Sequence, residues 1–537
     1  MPNDETWPRS ALLAVCTFVI LLAILLLLPR SDNKAHQLVM ETTSALVFSA
    51  AIFSLRYAPL LPSQPRPFSL WHLVPSLLLA VLAYIPAVPL GFISDDFTHV
   101  LWARGPLLRI LWEQFEHGQY GTFFRPLGFF SLAIDYRIWR LWAVGWHLTS
   151  LTLHVVTTVS VFFLGRELDC DPEVSGRAAL LFAVLPVNTE AVAWVAARFD
   201  LLATLLMLAS LTMYLHGRRQ GSILSCAGAA VFFVLALLTK ESAYALPVVL
   251  CAAEWLLFER RSWRTLSTFF LIAGGAVLYR LHALGSLGGY RAATGAPGSL
   301  SFGIASLLGL LVRAPSELLF AVNWQQPRVA WGCVLAAVTA SLLLPLTLLK
   351  PHGTSRRVYA FALVWCFVGA LSAQSLLMIP PTLTNTRVLY FSSVGAALFI
   401  ALLLERLGDP AWRRGWTAAL VICLLATTWH DIAAWKHASR ITNDFLMEVK
   451  AEFPKPPADA QFVLHNMPPW TEGGVYLLLH RALADSLCLT YNRKDIRANR
   501  ENEPTLAKRR PVIDIVWIGD WQGRRRPLIV RRDSAQN

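Results

Sequence analysis

Charge is scarce in this chain. Only 15% of its 537 residues are Asp, Glu, Lys or Arg, against about 25% in an ordinary soluble domain. That shortage excludes a soluble globular protein as the whole of the molecule. A CxxC pair is also missing. The eight cysteines, at 16, 170, 226, 251, 333, 366, 423 and 488, therefore point to neither a metal cage nor a disulfide framework. Six of them fall in apolar runs, where a lone cysteine behaves as a small hydrophobe. Internal repeats with helices broken at mid-membrane, the mark of many transporters, are not found either. The first apolar run, Ala11 to Leu28, ends in Leu-Pro-Arg-Ser-Asp and lacks a small-x-small cleavage site, so it reads as a retained span.

What the chain has in abundance is apolar sequence, 55% of the whole. After the first run, others fall near 38–55, 70–90, 144–164, 177–193, 199–215, 222–239, 242–258, 265–282, 329–349, 358–378, 388–405 and 416–430. Each is close to the ~20 residues that a bilayer requires. The expected fold class is an all-α polytopic membrane protein with about thirteen transmembrane helices. The net charge of +13 does not indicate nucleic acid, because most of the chain is lipid-soluble; its distribution sets orientation instead. The basic loops at 216–219, 259–264, 350–357 and 405–414 all fall on one side if spans alternate, and that side is expected to be the cytoplasm. Asp95 and Asp96, the turn from Asn188 to Asp200, Lys240-Glu241 and the stretch Pro380 to Arg387 then lie outside. The run 303–322 contains Arg313, Pro315 and Glu317 and would upset that alternation, so it is expected to be an interfacial or re-entrant helix. After residue 430 the composition turns polar, with Pro454, Pro456 and Pro457 as a linker. A strand pattern at Ala460 to Leu464, a helical stretch at Val475 to Leu487 and a strand at Pro511 to Ile518 predict a small C-terminal α+β domain, extracytoplasmic by parity. The expected division is 1–90, N-terminal spans; 91–143, an extracytoplasmic loop; 144–430, the membrane core; and 431–537, the small domain.

Acidic residues at membrane depth are costly, about 2.5–3.5 kcal/mol or more each at the centre, and are functional suspects by default. Asp95 and Asp96 stand just past the third apolar run and are the candidate catalytic pair. Mutual repulsion drives their proton affinities apart, which suits one to accept a proton from an incoming hydroxyl. The bland reading is that Asp96 caps the helix beginning near Phe97. The same loop holds Glu113, Glu116, His117, Tyr120 and Arg125, the last flanked by aromatics and followed by Pro126. An arginine so placed grips an anion bidentately or snorkels to headgroups. Downstream, Glu190, Arg198 and Asp200 fill one turn, Lys240 and Glu241 another, Arg387 and Tyr390 a third. Glu190 and Arg198 are close enough in sequence to pair. Cations converging on one rim need anionic partners, and a phosphate-bearing lipid supplies them. The candidate donor-phosphate residues are thus Arg125, Arg198, Lys240, Arg387 and Tyr390, and the candidate substrate residues Glu190, Asp200, Glu241 and His117.

These residues carry a resemblance. Ser94-Asp95-Asp96, Phe124-Arg125-Pro126-Leu127, Gly145-Trp146-His147-Leu148-Thr149 through His154, Leu181 to Leu202, Thr239-Lys240-Glu241, Arg387-Val388-Leu389-Tyr390 and Trp429 to Trp435 follow an order and a topological side similar to those of GT-C-fold membrane glycosyltransferases that use polyprenyl-phosphate sugars. Within these the chain most resembles the transmembrane and tetratricopeptide-repeat O-mannosyltransferases and their bacterial relatives. Two features depart from the pattern: segment 431–537 stands where the tetratricopeptide tail is usual, and two extra spans precede the aspartate loop. The resemblance implies an inverting transfer of a sugar from a polyprenyl-phosphate donor to a protein, lipid or glycan acceptor, at the outer face of a multi-pass protein of the inner (plasma) membrane. It matches Asp95 or Asp96 to the first-loop catalytic acid, and Arg198, Lys240 and Arg387 to donor phosphate. Some members of the fold use a divalent cation (Mg or Mn) at the acidic loop and others do not; Asp95 and Asp96 are the ligands expected should one be used. The alternatives are a lipid or solute transporter or flippase, an enzyme that ligates whole glycans, and a non-catalytic assembly subunit.

Overall fold

The structure is a computed structural model that describes residues 6–29, 33–55, 69–118, 123–285, 313–326, 329–349, 356–370, 379–471, 473–478, 481–501, 511–517 and 530–533. Helix dominates, for a plain reason. In hydrocarbon each backbone N–H and C=O must be bonded within its own segment, and a helix achieves this. Among the described residues eight helices are long and apolar enough to cross a membrane: Lys34–Ser54, Leu70–Ala87, Ala143–Glu167, Val195–Gln220, Trp263–Leu284, Val329–Leu348, Thr386–Leu404 and Pro410–Glu452. Shorter apolar helices cover Leu13–Leu27 and Ile223–Leu237. Every one of the thirteen apolar runs carries a helix, but several are too short in the described residues to count as spans by length alone.

The structure differs from expectation at three places. The run 177–193 is two helices, Pro172–Val184 and Pro186–Ala193, bent by 51°. Pro186 has no N–H to continue the ladder, so the chain turns there. The bend lifts Glu190 to the end of the bundle. The segment 91–143, expected as a loop, is largely helical: Asp96–Ala103, Leu107–His117 and Pro126–Trp139. Their apolar positions recur at helical spacing, and they pack on one another instead of crossing the membrane. The boundary drawn at 431 falls inside a single helix, Pro410–Glu452. Polar residues alone do not stop a helix, and no Pro or Gly intervenes until Pro454. At ~1.5 Å per residue its 43 residues reach roughly 65 Å, about twice the hydrocarbon thickness. Its second half therefore stands clear of the apolar layer and carries the small domain. Only part of the run 303–322 is described; residues 313–319 are helical, and Arg313 pairs with Glu41 at 3.3 Å.

The small domain holds a four-stranded sheet: β1 (Gln461–His465), β2 (Arg497–Arg500), β3 (Val512–Val516) and β4 (Val530–Asp533). The order is β2-β1-β3-β4, with β1 parallel to both neighbours and β3 antiparallel to β4. The helix Arg481–Tyr491 covers it. Two hydrophobic cores result. One lies within the helical bundle. The other joins Phe92, Phe97, Phe129 and Trp146 to Phe445 on the long helix and to Phe462, Leu464 and Leu487 of the small domain. The segment bearing Asp95 is thus clamped between the bundle and the sheet.

Candidate functional site

Asp95 and Asp96 diverge. Ser94 adopts φ +50, a left-handed conformation that costs a non-glycine residue of order 1 kcal/mol and clusters at functional sites. The chain then enters the helix Asp96–Ala103, whose first turn sends the two side chains apart. Asp96 is buried, and both its oxygens accept backbone N–H groups: Oδ2 from Ile93 at 2.9 Å and Oδ1 from Ala196 at 2.7 Å. Burial pushes its carboxyl up to about 8, against the pull of those two bonds. Asp95 is exposed, and its side chain does not cap the helix it begins. Among the described residues no group of three His, Cys, Asp or Glu side chains gathers as metal ligands.

The cations pair with carboxylates in two adjacent sets, one around Glu241 and one around Asp200 and Glu190. Arg125 clasps Glu241 with two nitrogens, one at 3.0 Å, and its guanidinium lies over Phe123 and Phe199. Arg280 reaches the same Glu241 at 3.9 Å. Lys240 pairs with Asp200, which Arg387 approaches at 3.9 Å. Arg387 also binds Glu190 twice, by backbone N–H at 2.9 Å and by side chain at 2.6 Å, and stacks its guanidinium 4.9 Å above Trp194. Among the described residues Arg125 and Arg280 thus share Glu241, while Lys240 and Arg387 share Asp200. Burial draws the Lys240 ammonium down, with Asp200 opposing. Burial would raise Glu241, but Arg125 and Arg280 outweigh it and hold the carboxyl below the usual range.

Arg198 belongs to a neighbouring pair. It is fully buried, is bonded to Asp135, and donates to the carbonyl of Trp146 at 2.8 Å. The expected Glu190–Arg198 pair does not form, because Glu190 faces Arg387 across the bend at Pro186 and Arg198 points toward the helix Pro126–Trp139. The premise that the rim cations lack protein partners is likewise corrected. Asp135, Asp200, Glu190 and Glu241 neutralise most of them, since a bare guanidinium or ammonium is too costly to bury. Tyr390 stands apart from the ion sets. Its hydroxyl meets His154 Nδ1 at 2.7 Å deep in the bundle core. The side chain of His117 and the whole of Tyr120 lie outside the described residues.

Three contributors were not singled out from sequence. Arg280 is a cation inside an otherwise apolar helix, a signal that was legible. Asp135 and Trp194 had no local signal; their roles come from residues 63 and 101 positions away. Trp194 donates its indole N–H to Ile93 at 3.3 Å and so ties the Asp95 segment to the ring on which Arg387 rests.

No family model matches the chain. Over 190 residues, 32% of this chain and 26% of the relative, it is 25% identical to Protein O-mannosyl-transferase F38B6.6 of Caenorhabditis elegans. Over 180 residues, 31% of this chain and 20% of the relative, it is 32% identical to Protein O-mannosyl-transferase Tmtc1 of Drosophila melanogaster. The matched region spans about a quarter or less of the length of these relatives. Among solved structures, the oligosaccharyltransferase of Archaeoglobus fulgidus is similar at a TM-score of 0.44 and 13% identity, over 80% of this chain and 65% of that one. Over about a third of its length, then, this multi-pass helical chain is similar in sequence to protein O-mannosyl-transferases.

Proposed function

We propose that the protein is an integral membrane glycosyltransferase that moves a sugar from a polyprenyl-phosphate donor to an acceptor hydroxyl at the extracytoplasmic face. The observation that carries this reading is the gathering of Arg125, Arg280, Lys240 and Arg387, held on Glu241, Asp200 and Glu190, in a fold that leaves Asp95 exposed. The similarity to O-mannosyl-transferases supports it. The helices of 144–430 form the transferase core, and the sheet domain covers the site from outside.

The roles follow from the geometry. The acceptor oxygen attacks the anomeric carbon from the face opposite the phosphate. The bond from that carbon to the phosphate oxygen breaks, and its electron pair leaves with the phosphate. The acceptor proton passes to Asp95, the exposed carboxylate of the two. Asp96 fixes the segment instead, since a carboxyl pushed up to about 8 and locked on two N–H groups is a poor base at neutral pH. Arg387, Lys240 and Arg125 meet the growing phosphate charge with donors held in place before the reaction. Their carboxylate partners keep them oriented in the absence of substrate.

The test is transfer of radiolabelled sugar from polyprenyl-phosphate mannose and related lipid donors, with the full chain in nanodiscs and peptide, lipid and glycan acceptors. Asp95→Asn is expected to lower turnover by about 10²–10⁴-fold with the protein still folded. Unchanged turnover in Asp95→Asn would remove the base assignment, and no transfer from any lipid-linked sugar by the wild type would remove the enzyme reading.

A further inference from the structure

Where the bent turn, the long helix Pro410–Glu452 and the small domain meet, a recess opens. Thr189, Glu190, Asn323, Asp431, Trp435 and Tyr476 are among the residues that line it. The recess measures about 20 Å³, room for a single hydroxyl or water oxygen. Most polar groups there are already engaged. Glu190 has both oxygens on Arg387. Asn323 donates its side-chain amide to Gly473 at 2.8 Å and accepts from the Gln325 N–H at 3.1 Å. Two lining atoms have no hydrogen-bond partner among the described residues, Thr189 Oγ1 and Asp431 Oδ2, and of the two residues only Asp431 is an acid. It is 3% exposed. Its Oδ1 accepts the Asn323 N–H at 3.0 Å and faces His430 Nδ1 at 3.0 Å. Its Oδ2 has no hydrogen-bond partner among the described residues. A buried acceptor left in that state carries a penalty of about 1–3 kcal/mol, more if charged, so a donor from outside is called for.

The recess adjoins the ion set around Asp200 and Glu190. Trp435 packs against Trp194 with ring centroids 5.9 Å apart, and Trp194 in turn carries Arg387. An acceptor-only oxygen repels phosphate and welcomes an O–H. At that size the recess excludes anything bulkier than a hydroxyl, and the half-buried Trp435 is part of its lining.

We propose that Asp431 reads one hydroxyl of a sugar, its Oδ2 accepting that O–H in the recess while Trp435 flanks the ring. This rests on the glycosyl-transfer reading and names the group that the site recognises. Asp431 and Trp435 are specificity residues, remote from the reacting bond. The same chemistry is presented by a lipid-linked donor sugar and by a glycosylated acceptor.

The test uses the purified full chain in nanodiscs. Tryptophan fluorescence is titrated with the methyl glycosides of mannose, glucose, galactose and arabinose, and with the singly deoxygenated forms of whichever binds best. A site built to bond a hydroxyl rejects the analogue lacking it. Removal of one particular hydroxyl, and of no other, is expected to weaken binding at least about tenfold. In Asp431→Leu, which is close in size and neither donates nor accepts, parent and deoxy analogue should bind within about twofold of each other. The wild-type series alone keeps the idea testable should that variant unfold. Competition by polyprenyl-phosphate mannose but not by sugar-free polyprenyl phosphate assigns the ring to the donor; insensitivity to both assigns it to the acceptor; both results uphold the hydroxyl site. A flat deoxy series, no binding of any methyl glycoside, or a hydroxyl preference that survives in a folded Asp431→Leu overturns it. Transfer measured in parallel separates the two readings. Retained transfer with a flat series removes the hydroxyl site alone, and hydroxyl-selective binding with no transfer from any lipid-linked sugar removes the transferase reading alone.

Discussion

Asp96 Oδ1 accepts the backbone N–H of Ala196 at 2.7 Å, joining segments a hundred positions apart. The bond fixes the Asp95 segment against the turn that carries Arg198 and Asp200. Its neighbour Asp95, one residue earlier, faces outward. Two adjacent carboxylates thus have separable jobs, and separable jobs predict separable phenotypes. Asp96→Asn can offer only one oxygen to two N–H groups, leaving a buried donor unmet at a cost of about 1–3 kcal/mol. Thermal melting of the full chain in detergent should register that loss in Asp96→Asn and leave Asp95→Asn close to wild type. Equal melting temperatures for wild type and Asp96→Asn would contradict the locking role.

Glu190 and Arg387 make the second tie. Glu190 is 2% exposed and Arg387 8%, so each is the counter-charge that allows the other to be buried. Glu190→Gln removes the charge and is expected to destabilise by about 3–5 kcal/mol. Replacing both with apolar residues, Glu190→Leu with Arg387→Met, should cost less than the sum of the single changes, because no charge is then stranded. Denaturation of the two single variants and the double variant gives the coupling directly. If the pair also holds donor phosphate, the stable double variant should still fail in transfer, since restored packing does not restore a cation.

Tyr390 provides a contrasting case. Its hydroxyl is taken by His154 and its ring packs 5.4 Å from Phe182, inside the bundle. Tyr390→Phe should therefore leave KM for a lipid-linked donor within about twofold of wild type and lower stability by about 1 kcal/mol, the net worth of one hydrogen bond. A tenfold rise in KM with unchanged melting would return Tyr390 to the donor site.

The membrane character and most helix positions were legible because apolar runs of bilayer length have few other uses. Asp95, Asp96, Lys240 and Arg387 were legible because charge beside such runs is expensive. What was not legible is partnership. Glu190 stands eight residues from Arg198 yet bonds to Arg387, 197 positions away, because Pro186 bends the chain between two helices. Tyr390 follows Arg387 by three residues, but the helix starting there turns its ring into the core. The strand Gln461–His465 was visible in its apolar alternation, whereas Arg497–Arg500 and Val530–Asp533 are polar edge strands with no such pattern. Asp431 gave no warning, since a lone aspartate after an apolar run reads as an exit from the membrane, and its recess exists only once the small domain folds back.

The small domain carries a titration of its own. Both ring nitrogens of His465 meet carboxylates, Nδ1 with Glu501 at 2.9 Å and Nε2 with Asp514 at 2.8 Å. Asp514 lies beside Arg532 in the β3–β4 register. Only the imidazolium can donate from both nitrogens. The hydrogen bond to Asp514 chiefly raises the His465 pKa above its usual value of about 6.5; burial opposes, and Glu501 adds to the rise. A raised histidine in the folded state means that the protonated form is the one folding favours. The stabilisation is therefore complete below about 6.5 and is lost as pH climbs through the folded value. The side chain is 30% exposed, so solvent screening keeps the effect modest. Amide exchange in β1, corrected for the intrinsic rate, should be slower at pH 6 than at pH 8.5 in the full chain. His465→Gln should erase that difference while leaving exchange in the helical bundle unaltered, and equal protection of β1 at both pH values in the wild type would count against the charged pairing.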